Sequence, residues 1–326
     1  MPDSPKPDLT VIMLGYTSTP NLMKVLDLLG TQDVPGGLDL IIVTPSKPRL
    51  GLETVTGPSL ARVRIIEVRD LAGVGQAKAV GVRAAETPFI VFCEDHSYPG
   101  PGWAKALLEC HRQGDWAAVG PAVTNANPLS RVGWGLFLAF YGAWMASGRS
   151  GEVDHLPGNH SCYRRELLLG YGARLEEMLD SESLLHWDLI DRGYKLLLCQ
   201  EAVARHLNYS RLEPLLRECF FSSRVFAHLR TKDRSFFRRL VYTLGSPLIP
   251  LFRLRRLRRE MDQARLRPAA FWRSFPVLIL NLLAGAAGEM MGYGLGPGRA
   301  RKHLMLVEAV RASKLTDDDL AAIAGF

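Results

Sequence analysis

The sequence predicts an α/β architecture. A mostly parallel sheet flanked by helices occupies residues 1–210, and a helical, basic and apolar region occupies residues 211–326. Three observations predict it. Short apolar runs alternate with helically spaced apolar patterns, as βαβ units require. Those runs end in turns rich in Gly, Pro, Ser or Thr. Charge then changes abruptly: residues 1–210 hold 19 Lys/Arg and 23 Asp/Glu, whereas residues 211–275 hold 16 and 5. At 47% hydrophobic and 22% charged, the chain suits packed cores and not a disordered polymer.

Leu9–Leu14 is the first strand, and Gly15-Tyr16-Thr17-Ser18-Thr19-Pro20 ends it with hydroxyls suited to cap a helix. Leu22, Val25, Leu26 and Leu29 follow at helical spacing, and Gly30 stops that pattern. Asp39–Val43 and Val63–Val68 are the next strands. The Gly- and Ala-rich stretch from Gly73 to Ala85 reads as a loop entering a helix. Pro88 to Cys93 reads as a buried strand that runs into Glu94-Asp95-His96 and then a Pro- and Gly-punctuated loop. Trp103–His111 is an amphipathic helix, and Ala117–Val123 a short strand. Val132–Ala146 is apolar, uncharged and too short to span a bilayer, so it is expected as a buried helix or one lying against a membrane. A polar, Gly-containing loop, His155 to Glu166, leads into Leu167–Leu169, and a later helix carries Leu185 and Leu189 and ends at Gly193. Lys195–Cys199 and Ala202–His206 read as two further strands.

The five cysteines are scattered, odd in number and without a Cys-x-x-Cys, which predicts reduced cytosolic thiols. The start, Met1-Pro2-Asp3-Ser4-Pro5-Lys6-Pro7, lacks an apolar core, so no signal peptide is expected.

In an open α/β sheet, ligands bind outside the carboxyl ends of the strands. Glu94-Asp95-His96 at such an end suits a metal ion or a diphosphate–metal pair; the plainer alternative is a solvated acidic turn. Strand alternation would send Glu94 and His96 to the same side.

The order of landmarks resembles the family 2 nucleotide-sugar-dependent glycosyltransferases, which have the GT-A fold. The resemblance covers Leu9 to His206. Its landmarks are Leu14-Gly15-Tyr16-Thr17; Gly73 to Gly81 with Ala77-Lys78; Glu94-Asp95-His96 followed by Pro99-Gly100-Pro101-Gly102-Trp103; Gly158 to Glu166; Ser181-Glu182 with Leu185, Leu189 and Gly193-Tyr194; and a closing strand that ends in His206. The chain departs from the family pattern at Thr44-Pro45-Ser46, Ala79, His96 and Glu182, where the family carries an Asp-rich turn, an Asn, an Asp and an Asp.

The resemblance implies an inverting transfer from a nucleotide-diphosphate sugar to a hydroxyl of a glycan or lipid-linked acceptor. It implies Glu182 as the base, with Asp180 as the fallback. A carboxylate must take the proton of the attacking hydroxyl, and cations must offset the charge of the leaving diphosphate. Tyr16, Lys78, Glu94 and Asp95 are implied at the donor, and Asn159, Arg164 and Trp103 at the acceptor. Glu94, His96 and His206 are the candidate metal ligands. His beside carboxylate favours Mn²⁺ over Mg²⁺ among divalent cations. A catalytically silent sugar-nucleotide-binding or scaffold protein is the alternative. A related nucleotidyltransferase would need a Gly-rich basic loop after the first strand, which Gly15–Pro20 does not supply.

In the C-terminal region, Leu240–Phe252 and Phe275–Gly288 are apolar but shorter than the roughly 20 residues a spanning helix needs. Arg253 to Arg259 beside an apolar face predicts a helix lying on an anionic membrane surface. A packed helical subdomain, a dimer contact or a re-entrant hairpin are the alternatives. Nucleic acid is not expected as a partner, because the basic run lacks interleaved aromatics and any nucleic-acid motif. The expected location is cytoplasmic, peripheral on the inner face of the cell membrane.

Overall fold

The computed structural model describes residues 6–146, 150–264 and 268–326. Met1 to Pro5 of the expected N-terminal tail lie outside the described residues. The chain forms two compact units: Met1–Thr124 with Gly148–His206, and Asn125–Ser147 with Leu207–Phe326. The second unit therefore starts before the expected boundary at residue 211 and takes in the apolar run after residue 131.

In chain order the first unit contains β1 (Leu9–Leu14), α1 (Pro20–Gly30), β2 (Leu38–Thr44), α2 (Lys47–Leu50), β3 (Leu60–Glu67), α3 (Val74–Ala84), β4 (Phe89–Cys93), β5 (Ser97–Pro99), α4 (Trp103–Arg112) and β6 (Trp116–Asn125). After α5 (Arg131–Tyr141), which belongs to the second unit, come β7 (Gly151–Val153), β8 (Cys162–Arg164), α6 (Arg165–Leu169), α7 (Leu175–Leu179), α8 (Glu182–Asp191) and β9 (Lys195–His206). The two strands expected at residues 195–206 are one continuous strand. Thr19 caps α1, accepting a hydrogen bond from the Leu22 N–H at 3.1 Å, as the turn chemistry requires.

Among the described residues nine strands form one sheet of order β3-β2-β1-β4-β8-β6-β9-β5, with β7 pairing to β9. Its parallel character holds for half the sheet: β3-β2-β1-β4 pair in parallel. The β4–β8, β6–β8, β5–β9 and β7–β9 pairs are antiparallel. Side-chain alternation cannot report strand direction, so this half was not legible in the pattern. The core is continuous through β1, β2 and β4, where Val11, Leu40, Ile41 and Val91 are fully buried. Strand order reverses direction at β1, which lies between β2 and β4. Crevices at such switch points, outside the carboxyl ends, are where open α/β sheets bind ligands.

Cys110 of α4 and Cys199 of β9 form a disulfide, which corrects the expectation of five thiols. Helix–strand packing brings their Cα atoms to 6.7 Å across 89 residues of sequence, a pairing that no local spacing announces. Cys93, Cys162 and Cys219 are free and buried.

The second unit contains α5, α9 (Leu212–Thr231), α10 (Phe236–Gly245), α11 (Ile249–Ala264), α12 (Pro268–Leu295), α13 (Ala300–Ala309) and α14 (Asp317–Ala324). Helix α12 is the element the others pack on, against α9, α5 and α10. It runs unbroken through Pro276 and Glu289. Glu289 is buried but neutralised: Arg253 donates to it at 2.6 Å and the Tyr293 hydroxyl at 2.8 Å. Its stretch Phe271–Leu295 is long and apolar enough to cross a membrane by length and composition, which corrects the estimate of a run too short to do so. A bundle's central helix meets the same measure, and a Cβ on Gly288 would lie 2.2 Å from the Phe220 carbonyl of α9, so the two backbones are in direct contact.

Candidate active site

The turn after β4 holds Glu94, Asp95 and His96 at the carboxyl edge, beside the end of β1. The residues are in a turn and not in extended strand, so alternation does not set their directions. Three other constraints do. Antiparallel pairing of β5 with β9 puts His206 opposite Ser97, next to His96. The Asp95 carboxylate lies 2.8 Å from His96 Nδ1, which turns the ring so that Nε2 lies 3.2 Å from Glu94 Oε2. His206 Nε2 lies 3.5 Å from the same oxygen. The ligand atoms of Glu94, His96 and His206 all fall within 4.8 Å of one another.

The residues present fit a divalent cation. Both imidazoles are buried, while the Glu94 side chain stays 40% exposed and leaves one side open. An imidazole with a carboxylate at each nitrogen is satisfied either as imidazolium or with a metal ion taking the place of the second proton. The Asp95–His96 pair has the form of a carboxylate that orients a ligating histidine. Burial pushes the Glu94 carboxyl up, but interaction with His96 and hydrogen bonding to His206 outweigh it and hold the group well below the ordinary range.

A second pair lies across the neighbouring loop. Lys78 of α3 donates to Glu182 Oε1 at the first turn of α8. Burial pushes the Lys78 ammonium down, but the Glu182 charge more than offsets this and its pKa is raised. The Lys78 Nζ also sits 5.3 Å from the centre of the Phe92 ring. The two carboxylates share one loop. Asn159 Nδ2 donates to Glu94 at 2.6 Å, and a Cβ on the adjacent Gly158 would lie 2.7 Å from Glu182 Cδ. That loop is fixed to the β4 turn where the His160 N–H donates to the Phe92 carbonyl at 2.7 Å. The His160 ring nitrogen Nε2 lies 3.0 Å from the Ser97 carbonyl.

A buried chain of hydrogen bonds steadies α8. The Leu156 N–H lies 3.4 Å from His186 Nδ1, so that nitrogen accepts. His155 Nδ1, 3.0 Å away, then donates to it, and His155 Nε2 accepts from the Ser183 hydroxyl at 3.2 Å. His186 Nε2 completes the chain with the Tyr163 hydroxyl at 2.8 Å. Burial, then His155, holds the His186 pKa well below the ordinary value. Sequence reading missed His155, His160 and His186. Their only local signal is three histidines flanking the polar Gly158-Asn159 loop and Glu182.

The remaining nominated residues separate. Tyr16 is half-buried in the turn leaving β1, at the same sheet edge as Glu94. Asp180, the fallback base, accepts from the Gly75 N–H at 2.9 Å at the first turn of α3. Trp103 is fully buried and packs edge-on against His160 at 5.0 Å, so it is core and not an acceptor contact. Arg164 pairs with Phe89, the residue that starts β4, and its side chain joins Asp115 at 2.6 Å. Five residues of strand, roughly 16 Å, separate Phe89 from Glu94, so Arg164 lies at the opposite edge of the sheet from the cluster.

No family model and no curated protein matches the sequence. Solved structures do. The chain is similar to GalNAc-T7, crystallised with UDP, GalNAc and Mn²⁺, at 12% identity and a TM-score of 0.48, over 61% of this chain and 43% of that one. It is similar to Staphylococcus aureus TarS residues 1–349 at 13% identity and a TM-score of 0.46, over 90% of this chain and 91% of that one. The TarS 1–349 complex with UDP matches at 14% identity and 0.47, with the same coverage. The chain spans less than half of the GalNAc-T7 structure, and likenesses at these values carry no functional argument.

Proposed function

We propose that the protein is a metal-dependent glycosyltransferase of GT-A type. It moves a sugar, with inversion, from a nucleotide-diphosphate sugar to a hydroxyl of a glycan or lipid-linked acceptor at the cytoplasmic membrane face. The observation that carries this reading is the single loop, Gly158-Asn159, that touches both Glu94 of a two-histidine, one-carboxylate cluster and Glu182 of the Lys78 pair. Diphosphate departure and proton removal need those two kinds of group close together.

Glu94, His96 and His206 would hold the cation, and the nitrogen-rich set favours Mn²⁺ over Mg²⁺. When bound, the cation offsets charge on the leaving diphosphate. Glu182 accepts the proton of the attacking hydroxyl. Lys78 fixes the Glu182 carboxylate and offers a positive charge that the diphosphate can share. Asp95 orients His96. A single base and direct displacement give inversion.

The experiment is release of nucleoside diphosphate from a panel of nucleotide sugars, with Mn²⁺ and a membrane lipid extract, for wild type and Glu182→Gln. Release by wild type and loss of about 10²-fold or more in the variant is the expected result. Equal release by both sinks the base assignment, and a product with the donor's anomeric configuration sinks inversion. A silent sugar-nucleotide-binding protein is the second reading, favoured by the engagement of Glu182 with Lys78. It predicts donor binding without release from any donor. The cytoplasmic location is part of this reading, and the Cys110–Cys199 pair makes it testable, because a reducing compartment keeps such thiols reduced. Alkylation of thiols in freshly lysed cells tests this: five reactive cysteines after denaturation support the cytoplasmic location, and three oppose it.

A further inference from the structure

Helix α10 has no buried residue. Its inner side meets α12: Arg239 donates to the Tyr293 carbonyl at 3.0 Å and Tyr242 lies on the Tyr293 ring at 5.2 Å. Its outer side is apolar. Phe236 and Phe237 are 80% and 72% exposed, and Leu240, Val241 and Leu244 continue the stripe at helical spacing. Leu248, Leu251 and Phe252 carry exposed apolar surface on into α11. The same helix then turns cationic: Arg255, Arg256, Arg258 and Arg259 are exposed, while Leu257 faces inward. Soluble surfaces rarely leave a contiguous apolar patch of this kind uncovered.

We infer that this face of α10 and α11 docks the helical unit on the surface of an anionic phospholipid bilayer, apolar stripe in the acyl boundary and arginines at the headgroups. Charge complementarity selects this occupant. Exposed aromatic and aliphatic residues beside a run of arginines, within a segment holding 16 Lys/Arg against 5 Asp/Glu, match an interface that is apolar below and anionic above. A second copy of the chain would set these arginines against each other. Docking is peripheral, because α12, the helix long enough to cross, has Glu289 tied to Arg253 and its Gly288 backbone against α9. The inference stands apart from the transferase reading, since the test needs no donor sugar.

The test is co-sedimentation of the full-length protein with vesicles of phosphatidylcholine alone and of phosphatidylcholine mixed with phosphatidylglycerol. Strong partitioning to the anionic vesicles only, weakening with salt, is expected. Arg255→Glu with Arg256→Glu should weaken it at least about a hundredfold, since one charge near such a surface is worth about fivefold. Phe236→Ser with Phe237→Ser should weaken it at least about tenfold, with an unchanged melting temperature because both side chains are exposed. If that variant melts lower, Leu251→Ser with Phe252→Ser carries the same expectation. Absence of binding, equal binding to both vesicles, or a soluble dimer that buries the stripe overturns the proposal. So does binding that survives high salt and needs detergent for release, which would mean insertion of α12.

Discussion

Asp95 acts through another residue. Its carboxylate holds His96 Nδ1 and so aims Nε2 at Glu94. Asp95→Ala is expected to weaken Mn²⁺ binding about 10–100-fold, read by calorimetric titration, with Asp95→Asn in between because an amide oxygen still accepts. Gly158 is bound by space: a methyl there meets Glu182 Cδ at 2.7 Å and must displace it. Gly158→Ala should lower turnover about 10²-fold and leave Mn²⁺ affinity unchanged. Loss of both together would show that the loop, and not the carboxylate, had moved. These residues were partly legible. Glu94, His96 and Glu182 stand at element ends, where polarity breaks an apolar pattern, and Lys78 is the one charge among the Gly and Ala of the first half of α3. Trp103 and Arg164 were misplaced because adjacency to a motif says nothing of which way a side chain points. Trp103 turned inward, and strand direction carried Arg164 to the far edge.

At the scale of elements, α4 is held to β8 where His111 Nε2 donates to the Cys162 carbonyl at 2.8 Å. Burial lowers the His111 pKa to about 4. The unfolded imidazole titrates near 6.5, so between these values the unfolded state binds the extra proton. Stability from this group is complete above pH 6.5 and falls as pH drops toward 4, by about 3 kcal/mol. His111→Gln keeps a donor and loses the titration, so urea unfolding at pH 7 and pH 4.5 should show a smaller acid penalty in the variant. In the helical unit, Gly288→Ala would press a methyl on the Phe220 carbonyl. A loss of about 1–3 kcal/mol, seen as a lower melting temperature, is expected. Of the parallel strands, β1, β2 and β4 were readable because they are largely buried and flanked by turn residues, and β3, which has no buried residue, by its β-branched residues. The antiparallel half and the length of α12 were not, since direction and the Glu289–Arg253 neutralisation arise from partners remote in sequence.

For the molecule as a whole, ligand binding to a preformed cluster must register as stability. At a hundredfold excess over its dissociation constant, a cation that binds only the folded state adds about 2.7 kcal/mol. Mn²⁺ should raise the melting temperature of wild type, and His96→Ala should abolish the rise. An equal rise in the variant would place the ion elsewhere. The division of charge was the most legible whole-molecule trait, because it is a sum over residues and needs no contacts. The assignment of residues 125–147 to the helical unit was not, because nothing in that run separates a helix packed on the sheet from one packed on α12.

Gly158 and Asn159 are consecutive, yet each serves a different carboxylate. The spacing between them cannot change without abandoning one of the two. The chain's tolerance of altered length should therefore be sharply uneven. A residue inserted in the exposed segment between Gly51 and Ser59 should be absorbed at little cost. A residue inserted between Gly158 and Asn159 should leave a folded protein that keeps only one half of its chemistry, either the cation or the base.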